Sequence, residues 1–274
     1  MTDLTVVILA KDEKLHIRRC LEKLVPLAPR QIFVVDCFST DGTQEIIETV
    51  SADQHLNVKI VEHKWPGLYA KQFNWALDNL PIAASWVLRI DADEYLTPAT
   101  IERLKDGLPK LSKEITGLSL ELGRTFWGKP VSRGVGQLWL TRVFRNGIGR
   151  CEDKAMDEHI IVSSGHIEKL PGGKFIDDNL NGPDWWREKH RGYAKREALD
   201  AIAGEKFKAS KSFYYKCPPY FRAFAYFCLR YFIRLGFLDG YAGWQWHFWQ
   251  GLWYRWLVDR TISNMKWERR HHGE

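Results

Sequence analysis

The feature that most constrains this chain is an alternation in its first hundred residues. Short β-branched runs are each followed by a segment with helical spacing. Residues 4–9 form a continuous run rich in β-branched residues, as expected of a strand covered on both faces. Ile17, Cys20, Leu21 and Leu24 then recur at i, i+3, i+4 and i+7, one side of a helix that Pro26 and Pro29 close. Residues 31–35 predict a second buried strand, which ends at Asp36-Cys37-Phe38-Ser39-Thr40-Asp41-Gly42-Thr43, a run of turn and capping residues. The next helix carries Ile46, Ile47 and Val50 inward. A third strand is expected over 57–62, a helix over 68–79 and a fourth strand over 86–90, running straight into Asp91-Ala92-Asp93-Glu94. Pro98 starts another helix with Ile101, Leu104 and Leu108 inward. This order predicts an α/β fold, a mostly parallel twisted sheet flanked by helices.

Ligands of such sheets bind beyond the carboxyl ends of the strands. Lys11, Asp12 and Glu13 after the first strand, Asp36 after the second, and Asp91 and Asp93 after the fourth should therefore converge on one crevice. Three acidic groups brought together need a cation. In Asp91-x-Asp93 the two side chains share a face of extended backbone. Their hard oxygens suit Mg²⁺ or Mn²⁺, with substrate phosphates completing the shell. A nucleotide diphosphate is the obvious source of those phosphates. The plain alternative is a helix cap or surface loop. Glu94 is expected to cap or orient the following helix, and Asp41 to cap its own. Arg142 and Arg145 are either paired surface charges or cations that meet a departing diphosphate, since Arg binds phosphate bidentately. Trp185, Trp186, Arg187 and His190 either line a cleft or pack in a core. No P-loop, no G-x-G-x-x-G after the first strand, no H-E-x-x-H and no G-x-S-x-G occurs.

Four motifs, V-V-I-L-A-K-D-E, V-V-D-C-F-S-T-D-G-T, K-Q-F-N-W-A-L-D-N and W-V-L-R-I-D-A-D-E-Y-L-T, in this order and spacing, resemble family 2 glycosyltransferases. The similarity is greatest to the small bacterial lipopolysaccharide-core branch. It continues through T-R-V-F-R (141–145), M-D-E-H (156–159), G-F-L-D-G (236–240) and K-W-E (266–268). The resemblance implies a GT-A fold and inverting, metal-dependent transfer from a nucleotide-sugar donor, UDP-sugar favoured, to a lipid-linked glycan acceptor. It implies that Glu13 and Asp36 hold the nucleoside and that Lys71 and Asn74 contact the donor. Asp91 would face the ribose and metal-bound water, and Asp93 would ligate the metal. The general base would be the acid of the M-D-E-H segment, Glu158 first and Asp157 second. From the residues alone, Glu13 is equally an ordinary first-turn helix acid, and Lys71 and Asn74 a solvated helix face. The chain departs from the family at Cys37 and Asp157. Those departures support the alternative of a catalytically idle nucleotide-sugar or glycan-binding protein. A nucleotidyltransferase would ordinarily carry a Gly-rich Arg-Lys loop where this chain has A-K-D-E.

Composition matters at the C-terminal end. The chain has 274 residues, with 40 basic against 34 acidic, a net charge of +6. After residue 210, 10 basic residues face 4 acidic ones, and 20 of the 37 aromatics lie there, so the whole positive excess sits with the aromatics. Trp246, Trp249, Trp253 and Trp256 fall on one helical stripe. The stripe either packs on the protein's own core or lies in a lipid interface with Arg on anionic phosphates. Stacking of nucleic acid is the weaker reading, and no nucleic acid partner is expected. A catalytic domain is expected over 1–210 and an amphipathic membrane-interface region over 211–274. The N-terminus has no basic n-region, and the five cysteines form no C-x-x-C. Taken with the resemblance, these imply a peripheral location on the cytoplasmic face of the bacterial inner membrane.

Overall fold

The computed structural model describes residues 1–153, 158–203 and 214–272. Two compact units divide the chain: residues 1–124 with 137–180, and residues 125–136 with 181–274.

In the first unit, β1 (Thr2–Ala10), β2 (Pro29–Asp36), β3 (Val58–Glu62) and β4 (Trp86–Asp91) lie parallel in the order β3-β2-β1-β4. The links are α1 (Ile17–Leu24), α2 (Thr43–Asp53) and α3 (Tyr69–Asn79). After β5 (Glu94–Leu96) comes α4 (Pro98–Gly107), with Pro98 in its first turn and the Thr97 hydroxyl accepting the Thr100 N–H. Every strand and helix expected up to residue 107 is present. The alternation along β1 and β4 explains why both strands read as continuously apolar. Val6, Ile8, Leu88 and Ile90 pack in one core with Ile17, Leu21, Ile47 and Leu104, whereas Val7, Leu9 and Val87 pack on the other face with Phe33 and Phe73. Burying a side chain such as Phe73 contributes about 1.5–3 kcal/mol.

Beyond β4 the sheet continues through strands that the sequence pattern did not outline. These are β6 (Ile115–Phe126), β8 (Trp139–Arg145) and β11 (His166–Asp177), in the order β4-β8-β6-β11-β5. β8 runs antiparallel to β4 and β6, β11 parallel to β6, and β5 antiparallel to β11. The sheet is therefore mostly parallel, with an antiparallel insertion, and the fold is of the expected α/β class. β7 (Lys129–Val131) pairs with β6. β9 (Gly149–Cys151) and β10 (Ile160–Val162) form a separate antiparallel pair.

In the second unit, α5 (Pro183–Ala203) packs on the last helix, α8 (Tyr254–His272), through Ala194, Ala198, Tyr254, Val258 and Ile262. Between them lie α6 (Phe221–Cys228), a π-helical turn Leu229–Ile233, a 3₁₀ turn Gly236–Asp239, α7 (Gly240–Trp246) and a second π-helical stretch His247–Trp253. Of the two readings of the Trp stripe, packing on the protein's own core holds for three of its four members. Trp246, Trp249 and Trp253 pack against a cluster built on Phe126, Val131, Trp186 and Ala242. Trp186 meets Trp253 at 6.0 Å and Trp249 at 6.4 Å between ring centroids. The fourth member departs because residues 247–253 are π-helical, with i→i+5 bonds and a different rotation per residue. Trp256 alone of the four is exposed, beside Tyr220. No helix among the described residues is long and apolar enough to cross a membrane.

Candidate active site

The sheet register brings the expected acids to one edge. Ala10 pairs with Asp36 and Leu9 with Asp91, so the two acids flank the end of β1. They stand two strand spacings apart, roughly 10 Å.

Asp36 is fully buried, and its carboxylate builds the turn that follows it. It accepts the Ser39 N–H at 2.8 Å, the Ser39 hydroxyl at 2.5 Å and the Gln44 amide at 2.7 Å. Gln44 also reaches Glu62, at 3.0 Å. Lys11 donates to the Phe38 carbonyl at 2.7 Å and pairs with Asp12 at 3.1 Å. The Thr40 backbone N–H, with Lys11, holds the Asp12 carboxyl below the usual carboxylate range. These bonds hold Phe38 in the left-handed region at φ 60°, with its ring 51% exposed. That backbone costs a bulky residue about 1–2 kcal/mol.

Glu13 takes a 2.6 Å bond with Nδ1 of buried His16, whose Nε2 accepts the Leu180 N–H at 2.9 Å. An accepting Nε2 fixes the tautomer, so Nδ1 carries the proton and donates to Glu13.

The D-x-D pair is held from three sides. Asp93 Oδ2 accepts from the Asn179 amide at 2.9 Å, and its carbonyl accepts from Arg19 at 3.2 Å; Arg19 is paired with Asp178 at 2.5 Å. Asp91 lies 3.7 Å from Arg89 Nε and 4.0 Å from Arg142 Nη1. Buried Glu94 accepts the Asp91 N–H at 2.9 Å and binds Arg142 at 2.5 Å. It thus orients Asp91 and Arg142, not the helix after it. Burial pushes the Glu94 carboxyl well above the usual carboxylate range, with Asp91 and Asp93 adding and Arg142 opposing.

Arg89 is the residue that sequence reading missed. It lies buried on β4, where an apolar side chain is expected. Its Nη2 donates to Glu158 Oε1 at 2.9 Å and its Nη1 to Cys151 Sγ at 2.9 Å, with Phe73 5.3 Å beneath the guanidinium. Burial opposes its charge, but Asp91, Cys151 and Glu158 outweigh that and hold it cationic. Arg89 therefore ties the acid ahead of β10 to the acid ending β4. The one available signal was a lone arginine in W-V-L-R-I-D. His16, Asp178 and Asn179 were also missed, because their roles arise from contacts more than a hundred and fifty residues apart in sequence or, for Asn179, from the distant end of β11.

The other expected residues are placed less uniformly. Lys71 is exposed on the first turn of α3, which begins at the same sheet edge. Asn74 exchanges two 2.9 Å bonds with the Cys151 backbone, tying α3 to β9. The structure does not bring Arg145 to the crevice. It pairs across from Trp86 at the opposite end of β4, stacks over that ring at 4.4 Å and donates to the Ile115 and Ser112 carbonyls. Asp157 lies outside the described residues.

The donor set fits a divalent ion only in a shared form. Among the described residues no group of three or more His, Cys, Asp or Glu side chains forms a metal cage. Asp91 and Asp93 supply two hard carboxylates at the crevice, each half-exposed. Mg²⁺ and Mn²⁺ at nucleotide sites are commonly held in this way, with phosphates completing the shell.

Residues 5–129 match the family described as Glycosyl transferase family 2. That segment runs from β1 to β7 and contains the D-x-D pair. The chain matches no curated protein. Among solved structures it is similar to S. aureus TarS at 18% identity and a TM-score of 0.46, over 73% of this chain and 40% of that chain. It is also similar to S. aureus TarS 1-349 in complex with UDP, at 15% identity and TM-score 0.49, over 100% and 92%. A third is the mannosyltransferase PcManGT from Pyrobaculum calidifontis in complex with GDP-Man and Mn²⁺, at 14% identity and TM-score 0.49, over 96% and 75%. The chain thus spans less than half the length of the first of these.

Proposed function

We propose that this protein is an inverting glycosyltransferase. It moves a sugar from a nucleotide-diphosphate donor, UDP-sugar favoured, to a hydroxyl of a lipid-linked glycan acceptor. The setting is bacterial cell-surface polysaccharide or lipopolysaccharide biosynthesis, at the cytoplasmic face of the inner membrane, with 211–274 as the membrane-interface region. The observation that carries the reading is the Asp91–Arg89–Glu158 chain, whose two β4 residues lie within the segment that matches Glycosyl transferase family 2.

In this reading Glu13 and the loop built by Asp36 hold the nucleoside, and Lys71 and Arg142 supply positive charge on the donor side. A divalent ion held by Asp91 and Asp93, Mg²⁺ or Mn²⁺, would neutralise the diphosphate. The acceptor hydroxyl attacks the anomeric carbon in line with the departing nucleoside diphosphate. One C–O bond forms as the C–O bond to phosphate breaks, and the configuration inverts. Glu158 receives the hydroxyl proton as attack proceeds. Arg89 grips one oxygen of Glu158, fixing where the carboxylate points. Arg142, itself aligned by Glu94, meets the charge that develops on the leaving group.

Glu158→Gln tests the assignment. It keeps the shape and the Arg89 contact but cannot take a proton. We expect kcat to fall about 10²–10⁴-fold with donor affinity little changed. Unaltered kcat in Glu158→Gln, with loss in Asp157→Asn, would move the base by one residue.

A further inference from the structure

The stretch from α6 to α7 has its polarity turned inside out. A surface helix ordinarily hides its apolar stripe and shows polar residues to water. Here the buried positions include two arginines. Arg222 pairs with buried Asp259, and Arg230 donates to the Gly134 carbonyl at 2.9 Å. The outward positions are apolar instead: Phe221, Phe224, Phe232, Ile233, Leu238 and Tyr241 are between 52% and 74% exposed. Six large apolar side chains within 21 consecutive residues (221–241) make more than scattered surface hydrophobics.

Charge selects the occupant. Between residues 214 and 258 the only acidic residue is Asp239. Its carboxylate turns to the backbone N–H groups of Ser132 and Arg133, both at 2.7 Å. Exposed Arg234 stands between Ile233 and Leu235, both of them exposed as well. The outer face is thus apolar with positive charge and no free acid. Pairing of two copies through this face would bring Arg234 toward its own like without an acid to answer it. An anionic lipid surface offers hydrocarbon for the rings and phosphate for the guanidinium.

We propose that the outward face of 221–241, not the Trp stripe, is the surface by which the protein lies in an anionic membrane. This rests on the membrane reading above and names the residues that carry it. The segment enters in plane, since its helical pieces are short and are broken at Gly236 and Gly240.

The test is flotation of the full chain with vesicles of phosphatidylcholine alone and of phosphatidylcholine with phosphatidylglycerol. The wild type should float with the anionic vesicles. Phe224→Ser/Ile233→Ser/Tyr241→Ser should lower its partition coefficient about a thousandfold. Circular dichroism and nucleotide-sugar binding should stay unchanged. Ile233→Ser alone, at the most exposed of the six, should cost about tenfold and keeps the test open if the triple variant does not fold. Arg234→Glu should weaken binding about tenfold or more on anionic vesicles only. If the variants float as well as the wild type, the face is wrong and the membrane reading rests on other residues. If the wild type never floats, both fall. A wild-type dimer that the triple variant splits, with vesicles capturing neither, would make this a self-association face and overturn the proposal.

Discussion

Replacing Arg89 by Met should separate the stability of β4 from the chemistry at its end. Arg89 contacts both Asp91 and Glu158, at 3.7 and 2.9 Å. At an effective dielectric of 20, one unit charge at about 4 Å is worth up to about 4 kcal/mol. The Asp91 side chain is 36% exposed and Glu158 16%, so solvent takes much of that away. About 1–2 kcal/mol of the interaction remains. Met fits the apolar surroundings of Phe73, so the fold should survive with a loss of stability below the 3–5 kcal/mol of a fully buried broken pair. The assay is kcat and donor KM for nucleoside diphosphate release. Arg89→Met should lower kcat about 10- to 100-fold, with donor KM little changed. Arg89→Lys keeps the charge but not the fork and should fall between. If Arg89→Met only lowers Tm, while kcat per folded enzyme stays put, Glu158 is merely the counter-ion of a buried arginine.

Three further outcomes are expected. Phe38→Gly should relieve the left-handed strain and raise stability by about 1 kcal/mol, yet weaken nucleotide binding several-fold if the exposed ring stacks on the base; calorimetry of both quantities checks this. Burial pushes His190 and His247 down to about 4. Each ring binds its proton more weakly when folded than unfolded, so their stabilisation is fully present above about pH 6.5 and is lost as pH falls toward 4. With solvent screening the loss is about 1 kcal/mol per ring by pH 5, and urea melts of His190→Gln and His247→Gln should show a flatter slope than wild type. Asp259→Ala leaves Arg222 buried without its carboxylate, and thermal unfolding should report a loss of about 3–5 kcal/mol.

The first half of the fold was readable because its signals are local. The runs at β1, β2 and β4 are apolar on both faces, and Ile17, Cys20, Leu21 and Leu24 are all buried as their spacing requires. The convergence of Lys11, Glu13, Asp36, Asp91 and Asp93 followed from parallel topology alone. What failed depended on non-local pairing. Arg142 and Arg145 look alike in T-R-V-F-R, but antiparallel pairing of β8 with β4 sets Arg145 opposite Trp86, at the start of β4, while the Arg142 guanidinium reaches Asp91 at its end. β11 carries His166, Glu168, Lys169 and Lys174 and has no apolar alternation to announce a strand. The composition shift at 211 lies well after residue 181, where the second compact unit resumes, because α5 joins that unit through small residues, Ala194 and Ala198, that carry no aromatic or charge signal. The Trp stripe shares a face at Trp246, Trp249 and Trp253, and its spacing alone left open whether that face meets core or lipid. Periodicity says that a face exists, not what covers it, and the π-helical stretch shifts the phase.

The most direct test of the account is release of nucleoside diphosphate from a panel of UDP-, GDP- and CDP-sugars by the purified protein, with and without Mn²⁺ or Mg²⁺. Asp93→Asn is run alongside. Turnover of at least one sugar donor is expected, dependent on the added ion. Asp93→Asn should lose about 10²-fold or more, corresponding to about 3 kcal/mol of transition-state stabilisation at the end of β4. Turnover that ignores both the ion and Asp93, or specific donor binding with no turnover under any condition including added glycan acceptors, would contradict it.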